Sequence, residues 1–525
     1  MNRREFIERS SSAALSIYLS SCASRQITNP NEAPLGHHMT DKGVEAARRD
    51  LSKTVTGKVM RVGDPGFQTA ITIDNGRVNR PPFLVVAPLS TKDIANTVKY
   101  CRAHDLRLTT KSGGHSAAGY CLNSEGIVLD MSQLNSIQPH DDGALLTVGT
   151  GTRWIQLYGF VEQRLSDRIV VGGGCAGVGV GGFLLGGGYS FISRSYGLGC
   201  DSIGAMEFVS ADGDIYHLNG NLTDKNERDL YWALRGAGGG NFGIVSCFDL
   251  KSHKRRTPAM MMGAVTFPIE RASEVLHFYN EWISTLPHEM AVYGMFRRVP
   301  DPTHGGEPRL ALLLTPIYNG HTSEGAALLK PLIDMAPINV ELYTMTLPQW
   351  ESFMGTGTAV NGRSAYIRSA VMAPKSLTPD VIAILVKYMN QAPNKDSFVV
   401  WTQAGGKIRD LQNGSTCFPH RDAEIIFELK SIWDSKAPQN REANVEWAVR
   451  FIDELESHAL GAYANYIDPL LANWPQKYYR DSYKRLVQIK SHWDSSGFFN
   501  FQQGIGSSFS PDRTWPLDMS PLDKT

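Results

Sequence analysis

The 525-residue sequence contains no apolar run of the ~18 residues that a membrane-spanning helix needs. It carries no net charge, because 52 Lys and Arg balance 52 Asp and Glu. Without a basic excess there is no electrostatic case for nucleic acid as a partner. Its seven cysteines, at 22, 101, 121, 175, 200, 247 and 417, form no CxxC pair and no even, dense framework. That argues against a disulfide scaffold and offers no zinc site by spacing, with one or two isolated pairs left open. There is no internal repeat and no low-complexity array. Hydrophobic content of 42% and charged content of 20% are those of a globular protein, and the length calls for two domains.

What the sequence has in quantity is glycine. Between Val171 and Gly188, ten of eighteen residues are glycine, with Cys175 among them. Such density carries an entropic cost and implies a backbone lying flat against something, with no Cβ in the way. Its N–H groups can converge on an anion. The competing reading is a series of turns. Residues 177–182 match GxGxxG, and Asp201 stands where a ribose-binding acid would be expected. The context is wrong for a dinucleotide loop, which must open a helix: Gly186-Gly187-Gly188 follow at once and should destroy it.

The first residues combine Arg3-Arg4, Phe6-Ile7 and Leu19-Ser20-Ser21-Cys22. In this order they resemble a twin-arginine export signal ending in a bacterial lipobox. The expectation is an exported protein of the periplasm or cell envelope, with membrane attachment only through a lipid on Cys22. Residues 23–46 read as a linker.

From there, strands are expected at 83–88, 106–110, 126–131 and 144–148, and helices at 90–104 and 153–163. A hairpin follows at 203–210 and 214–218, then a short helix at 229–234. Past Arg256 glycine thins. Helices at 272–285, 323–334 and 444–457 mix with extended segments at 308–315 and 397–403, an α+β texture. A last helix is expected at 481–492.

Four glycine-rich motifs stand in order: SGGHS (112–116), GGGCAGVGVGG (172–182), SYGLGCDSI (195–203) and RGAGGGNFGIV (235–245). FPHR (418–421), YANYIDP (463–469), YYRDSYKRLVQIK (478–490) and FFNFQQGI (498–505) follow. Together they resemble the berberine bridge enzyme-like FAD-linked oxidases, whose flavin domain is of the vanillyl-alcohol-oxidase or PCMH type. The resemblance implies an α+β protein. It would have an FAD-binding domain of two α/β subdomains at 47–255 and a substrate domain with an antiparallel sheet at 256–460. A C-terminal segment, 461–525, would return to the flavin.

The same resemblance implies FAD bound covalently through His115 and Cys175. Ser112, Gly113, Gly114, Ser116, Gly174, Val178, Gly179, Gly182 and Val245 would contact it. Tyr466 would be the base, with Glu428 over the substrate. By strand alternation Glu428 faces away from Phe427 and Leu429; a solvated strand glutamate is the alternative. An ordinary phenol ionises near pH 10, so Tyr466 needs a lowered pKa or a partner. His420 reads as structural. Trp401 and Tyr343 suit either substrate stacking or core. Two departures from the family pattern are Phe183, where many members carry histidine, and Lys111, where arginine is common. Val178 resembles the choice in members that admit dioxygen. The implied activity is hydride removal from an alcohol, sugar or related small molecule, with O2 as acceptor and H2O2 as product. The alternatives are a dehydrogenase serving a quinone or protein acceptor, and a non-enzymatic envelope lipoprotein.

Overall fold

The computed structural model describes residues 39–124, 126–354, 360–411, 414–435, 437 and 440–507. The export motif, with Cys22, lies outside the described residues.

Leu84–Ala87 is buried at every position, the pattern of a strand covered on both faces. It belongs to a four-stranded sheet ordered Lys58–Arg61, Leu84–Ala87, Ile127–Asp130, Leu108–Lys111. The last three strands run parallel. Helix Thr91–Ala103 makes one crossover and is capped by Ser90, whose Oγ accepts from the Asp93 N–H. A second, antiparallel sheet is ordered Ile137–His140, Leu145–Gly149, Gly243–Lys251, Ile203–Ser210, Ile215–Asn219. The four strands expected in the first 150 residues form within two residues of their expected bounds. The helix expected at 229–234 begins earlier, at Lys225. Asp224 caps it by accepting from the N–H groups of Asn226 and Glu227.

The third sheet has seven strands, all antiparallel: Asn339–Met345, Met260–Pro268, Pro308–Tyr318, Met290–Pro300, Phe398–Gln403, Ile425–Trp433, Ser364–Met372. Val292, Val399, Trp401, Phe427 and Leu429 share an apolar cluster with helices Ala272–Trp282, Pro379–Asn390 and Arg441–Glu456. The alternate residues Tyr293, Ile367, Val400, Thr402, Glu428 and Lys430 therefore project from the other face. This corrects the stacking reading of Trp401. Its indole is 1% exposed and donates to the Tyr279 hydroxyl (3.1 Å) in the core. Tyr343 sits on the edge strand Asn339–Met345, away from that face's central strands.

The GxGxxG stretch also differs from expectation. Val180–Leu185 does form a helix, of six residues. The three glycines end it rather than prevent it, with Gly187 and Gly188 at φ +110° and +82°. Asp201 serves no ribose. Its carboxylate pairs with buried Arg421 (2.6 and 3.1 Å) and accepts from the Leu198 N–H (2.8 Å). That ion pair ties the motif at 195–203 to the one at 418–421. Cys101, Cys121, Cys200, Cys247 and Cys417 are free thiols.

The C-terminal residues Ala462, Tyr463, Tyr478, Tyr479, Leu486, Ile489 and Ile505 share one core with Trp154, Val180, Phe208 and Phe242. His420 is buried among these motifs, and burial pushes its imidazole pKa down to about 3, helped by Arg480. The folded state then refuses a proton that the unfolded chain binds below its ordinary value of 6.5. Stability should fall as pH drops from about 6.5 towards 3, by up to roughly 1 kcal/mol per pH unit from this residue. Denaturant melts of His420→Gln across that range should show a shallower pH slope than the parent; an unchanged slope would contradict the assignment.

Candidate active site

Strand Leu108–Lys111 delivers the first glycine turn. Its last residue, Lys111, is buried and pairs with Asp130 on the neighbouring strand (3.1 Å). Ser112 Oγ then donates to the Thr150 carbonyl (2.7 Å). Gly113 lies so close to the second turn that a Cβ there would stand 2.2 Å from the Gly179 nitrogen. His115 follows, with its Nε2 beside Gly177. Two glycine turns thus meet backbone to backbone, one bearing His115 and the other Cys175.

The third and fourth parts of the wall come from far along the chain. Asn465 donates to the Phe183 carbonyl (3.1 Å) and packs where a Cβ on Gly186 would be. Tyr463 accepts from the Gly188 N–H (2.9 Å). Tyr466 lies edge-on to Tyr463, ring centres 5.0 Å apart. The seven-stranded sheet contributes the face that carries Tyr293, Val400, Glu428 and Lys430. The result is one cavity of about 400 Å³. All thirteen expected site residues line it: Ser112, Gly113, Gly114, His115, Ser116, Gly174, Cys175, Val178, Gly179, Gly182, Val245, Glu428 and Tyr466. Trp401, Tyr343 and His420 do not.

Glu428 is not a solvated strand residue. It is 9% exposed, ion-paired with Lys430 (3.0 Å), and its charge acts on the neighbouring Tyr466 phenol. Burial, then the Glu428 charge, hold the Tyr466 phenol well above its ordinary pKa. Of the two ways Tyr466 could act near neutrality, the site favours the partner, Glu428, over a lowered pKa. Burial lowers the His115 pKa, Lys430 and Arg153 add to this, and Asp74 opposes it. The imidazole is thus neutral near neutral pH, with a lone pair available.

Sequence reasoning missed Asp74, Tyr189, Phe191, Tyr293, Lys430 and Tyr463 in this wall. Two had a legible signal. Lys430 is two residues beyond Glu428 on one strand and so shares its face, and Tyr463 stands inside the motif that holds Tyr466. Tyr293 and Asp74 had none.

The cavity fits FAD. Among the described residues no group accepts from the N–H groups of Gly113, Gly114, Gly239 and Gly240, all in its wall. Free N–H donors in a cavity wall suit a pyrophosphate. Aromatic and aliphatic side chains beyond them suit a flat ring.

The family profile described as "FAD binding domain" matches residues 82–219, and that described as "Berberine and berberine like" matches 462–506. The chain is a berberine bridge enzyme-like, FAD-linked protein. This berberine bridge enzyme-like chain is 27% identical to the FAD-linked oxidoreductase YvdP of Bacillus subtilis, over 87% of its own length and 99% of the relative's. It is 26% identical to a xylooligosaccharide oxidase of Thermothelomyces thermophilus, over 82% and 88%. Its fold matches the berberine bridge enzyme of Eschscholzia californica with a TM-score of 0.77, at 20% identity, over 89% and 100% of the two chains.

The contact at Gly113 gives a prediction. Gly113→Ala must push the two turns apart, and overpacking of this kind costs about 1–3 kcal/mol. Retention of FAD, read as the ratio of visible to ultraviolet absorbance after gel filtration, should fall at least about tenfold; full retention would contradict the backbone contact.

Proposed function

We propose that this FAD-linked oxidoreductase is an oxidase of an alcohol, sugar or related small molecule, working on flavin bound through His115 and Cys175. The carrying observation is that His115, Cys175 and the neighbouring pair Tyr466 and Glu428 line one cavity. Flavin, when bound, supplies the hydride acceptor. The relative named as a xylooligosaccharide oxidase supports dioxygen as the electron acceptor and hydrogen peroxide as the product.

The protein's own part is to orient the substrate, exclude water and move one proton. Tyr189, Phe191, Tyr293 and Val400 give an apolar wall that excludes water. A substrate hydroxyl at the Tyr466 oxygen gives its proton to that oxygen while the phenol's own proton moves to Glu428. The base is therefore the pair and not a free phenolate. Lys430 holds the Glu428 carboxylate in place. The residues from Arg3 to Cys22 support work in the bacterial envelope.

Tyr466→Phe keeps the ring and removes the oxygen that takes the proton. With whichever compound in a panel of primary alcohols, aldoses and oligosaccharides bleaches the parent's flavin fastest, anaerobic bleaching by the variant should slow at least about a hundredfold. Bleaching at the parental rate would remove Tyr466 from the chemistry. A parent that is bleached but yields no peroxide on admitting air would move the reading to a dehydrogenase.

A further inference from the structure

Three charged groups act on His115: Asp74, whose Oδ2 lies 3.8 Å from Nδ1, and the cationic Lys430 and Arg153. Asp74 is the acidic one, and it is held in place from two sides. Its N–H donates to the Gly114 carbonyl (2.9 Å), one residue before His115. Its own carbonyl accepts from the Gly362 N–H (2.8 Å). Its carboxylate accepts from two successive N–H groups, Val360 onto Oδ2 (3.0 Å) and Asn361 onto Oδ1 (2.9 Å).

The next residues continue the connection. Asn75 donates to the Ala117 carbonyl (2.9 Å) and accepts from the Ala365 N–H (3.0 Å). Gly76 N–H donates to the Arg363 carbonyl (2.9 Å). Residues 74–76 thus join the histidine turn to the lead-in of strand Ser364–Met372, in the sheet that carries Glu428. A carboxylate with two fixed N–H donors, in the cavity wall and facing an imidazole, is too constrained to be a solvated surface acid.

We infer that Asp74 positions His115 and accepts its proton when flavin becomes attached there, a role that rests on the reading above that His115 is a covalent link. Attachment forms one bond, between an imidazole nitrogen and the 8α-methyl carbon. It breaks one N–H and one C–H bond. The imidazole proton goes to Asp74. The methyl hydrogen leaves as a second proton, and the two electrons released go to dioxygen, which takes up two protons and becomes hydrogen peroxide. As the nitrogen commits its lone pair the ring gains positive charge. Lys430 and Arg153 oppose that charge, so the Asp74 carboxylate is the group that stabilises it. Cys175 lies on the other turn and needs no help from Asp74.

The test compares the full-length parent with Asp74→Asn and Asp74→Glu. Each is purified with its flavin, denatured in acid and digested, and the flavin-bearing peptides are weighed at intervals after synthesis. The Cys175 link serves as the folding control. In Asp74→Asn, attachment at His115 should slow about a hundredfold while the Cys175 link forms as in the parent; Asp74→Glu should recover part of the rate. Asp74→Asn with both links at the parental rate overturns the inference, and so does equal loss of both links. A parent with no flavin on His115 would instead overturn the reading of His115 as a link, and with it the role given to Asp74.

Discussion

Everything at the site depends on two stretches of backbone touching where neither has a side chain. Gly113 and Gly179 approach to a distance that any Cβ would block. This places His115 and Cys175 in the wall of one cavity although sixty residues separate them. It also leaves the N–H groups of Gly113 and Gly114 without acceptors among the described residues, as a site for a phosphate requires. Glycine weakens helices and strands, and here that loss is accepted at the point where a large cofactor must lie against main chain.

The other walls are made by elements that belong to stable cores on their far sides. The seven-stranded sheet packs one face on four helices, Thr322–Ile333 among them, and turns the other, with Glu428 and Lys430, towards the cavity. The C-terminal segment is fixed by buried polar contacts. Lys490 donates to the carbonyls of Asn241 and Phe499 and pairs with Asp494, while Asn241 accepts from the Ile505 N–H. Asn241 closes the glycine run 238–240, so the C-terminal segment holds one wall of the cavity. Arg421 and Asp201 make a comparable tie between two other motifs. The chemistry therefore sits among packed parts, and the reactive groups are few: a neutral imidazole, a thiol, and a phenol beside a carboxylate.

How much of this could be read in the sequence varied with the kind of signal. Glycine turns were legible because a residue type chosen for lacking a Cβ marks its own position. Glu428 came from the family resemblance, strand alternation gave only its face, and the same rule could have put Lys430 on that face. Trp401 stayed open between substrate and core because its type suits both, and only the pairing of Phe398–Gln403 with its neighbours decides which face it takes. The helix Val180–Leu185 was missed because the glycines that end it were read as forbidding it. Asp74 and Tyr293 reach the site through contacts distant in sequence, for which no local pattern exists. The phenol's raised pKa is likewise a property of the assembled site, arising from burial and from Glu428.

The most direct measurement is the visible spectrum of the purified protein after acid denaturation and washing, followed by digestion and weighing of the coloured peptides. Yellow colour that stays with the chain, on a peptide pair joining His115 and Cys175 through one flavin, is the predicted result. Colour that washes away entirely, or none at the outset, would contradict a flavin held between these two turns.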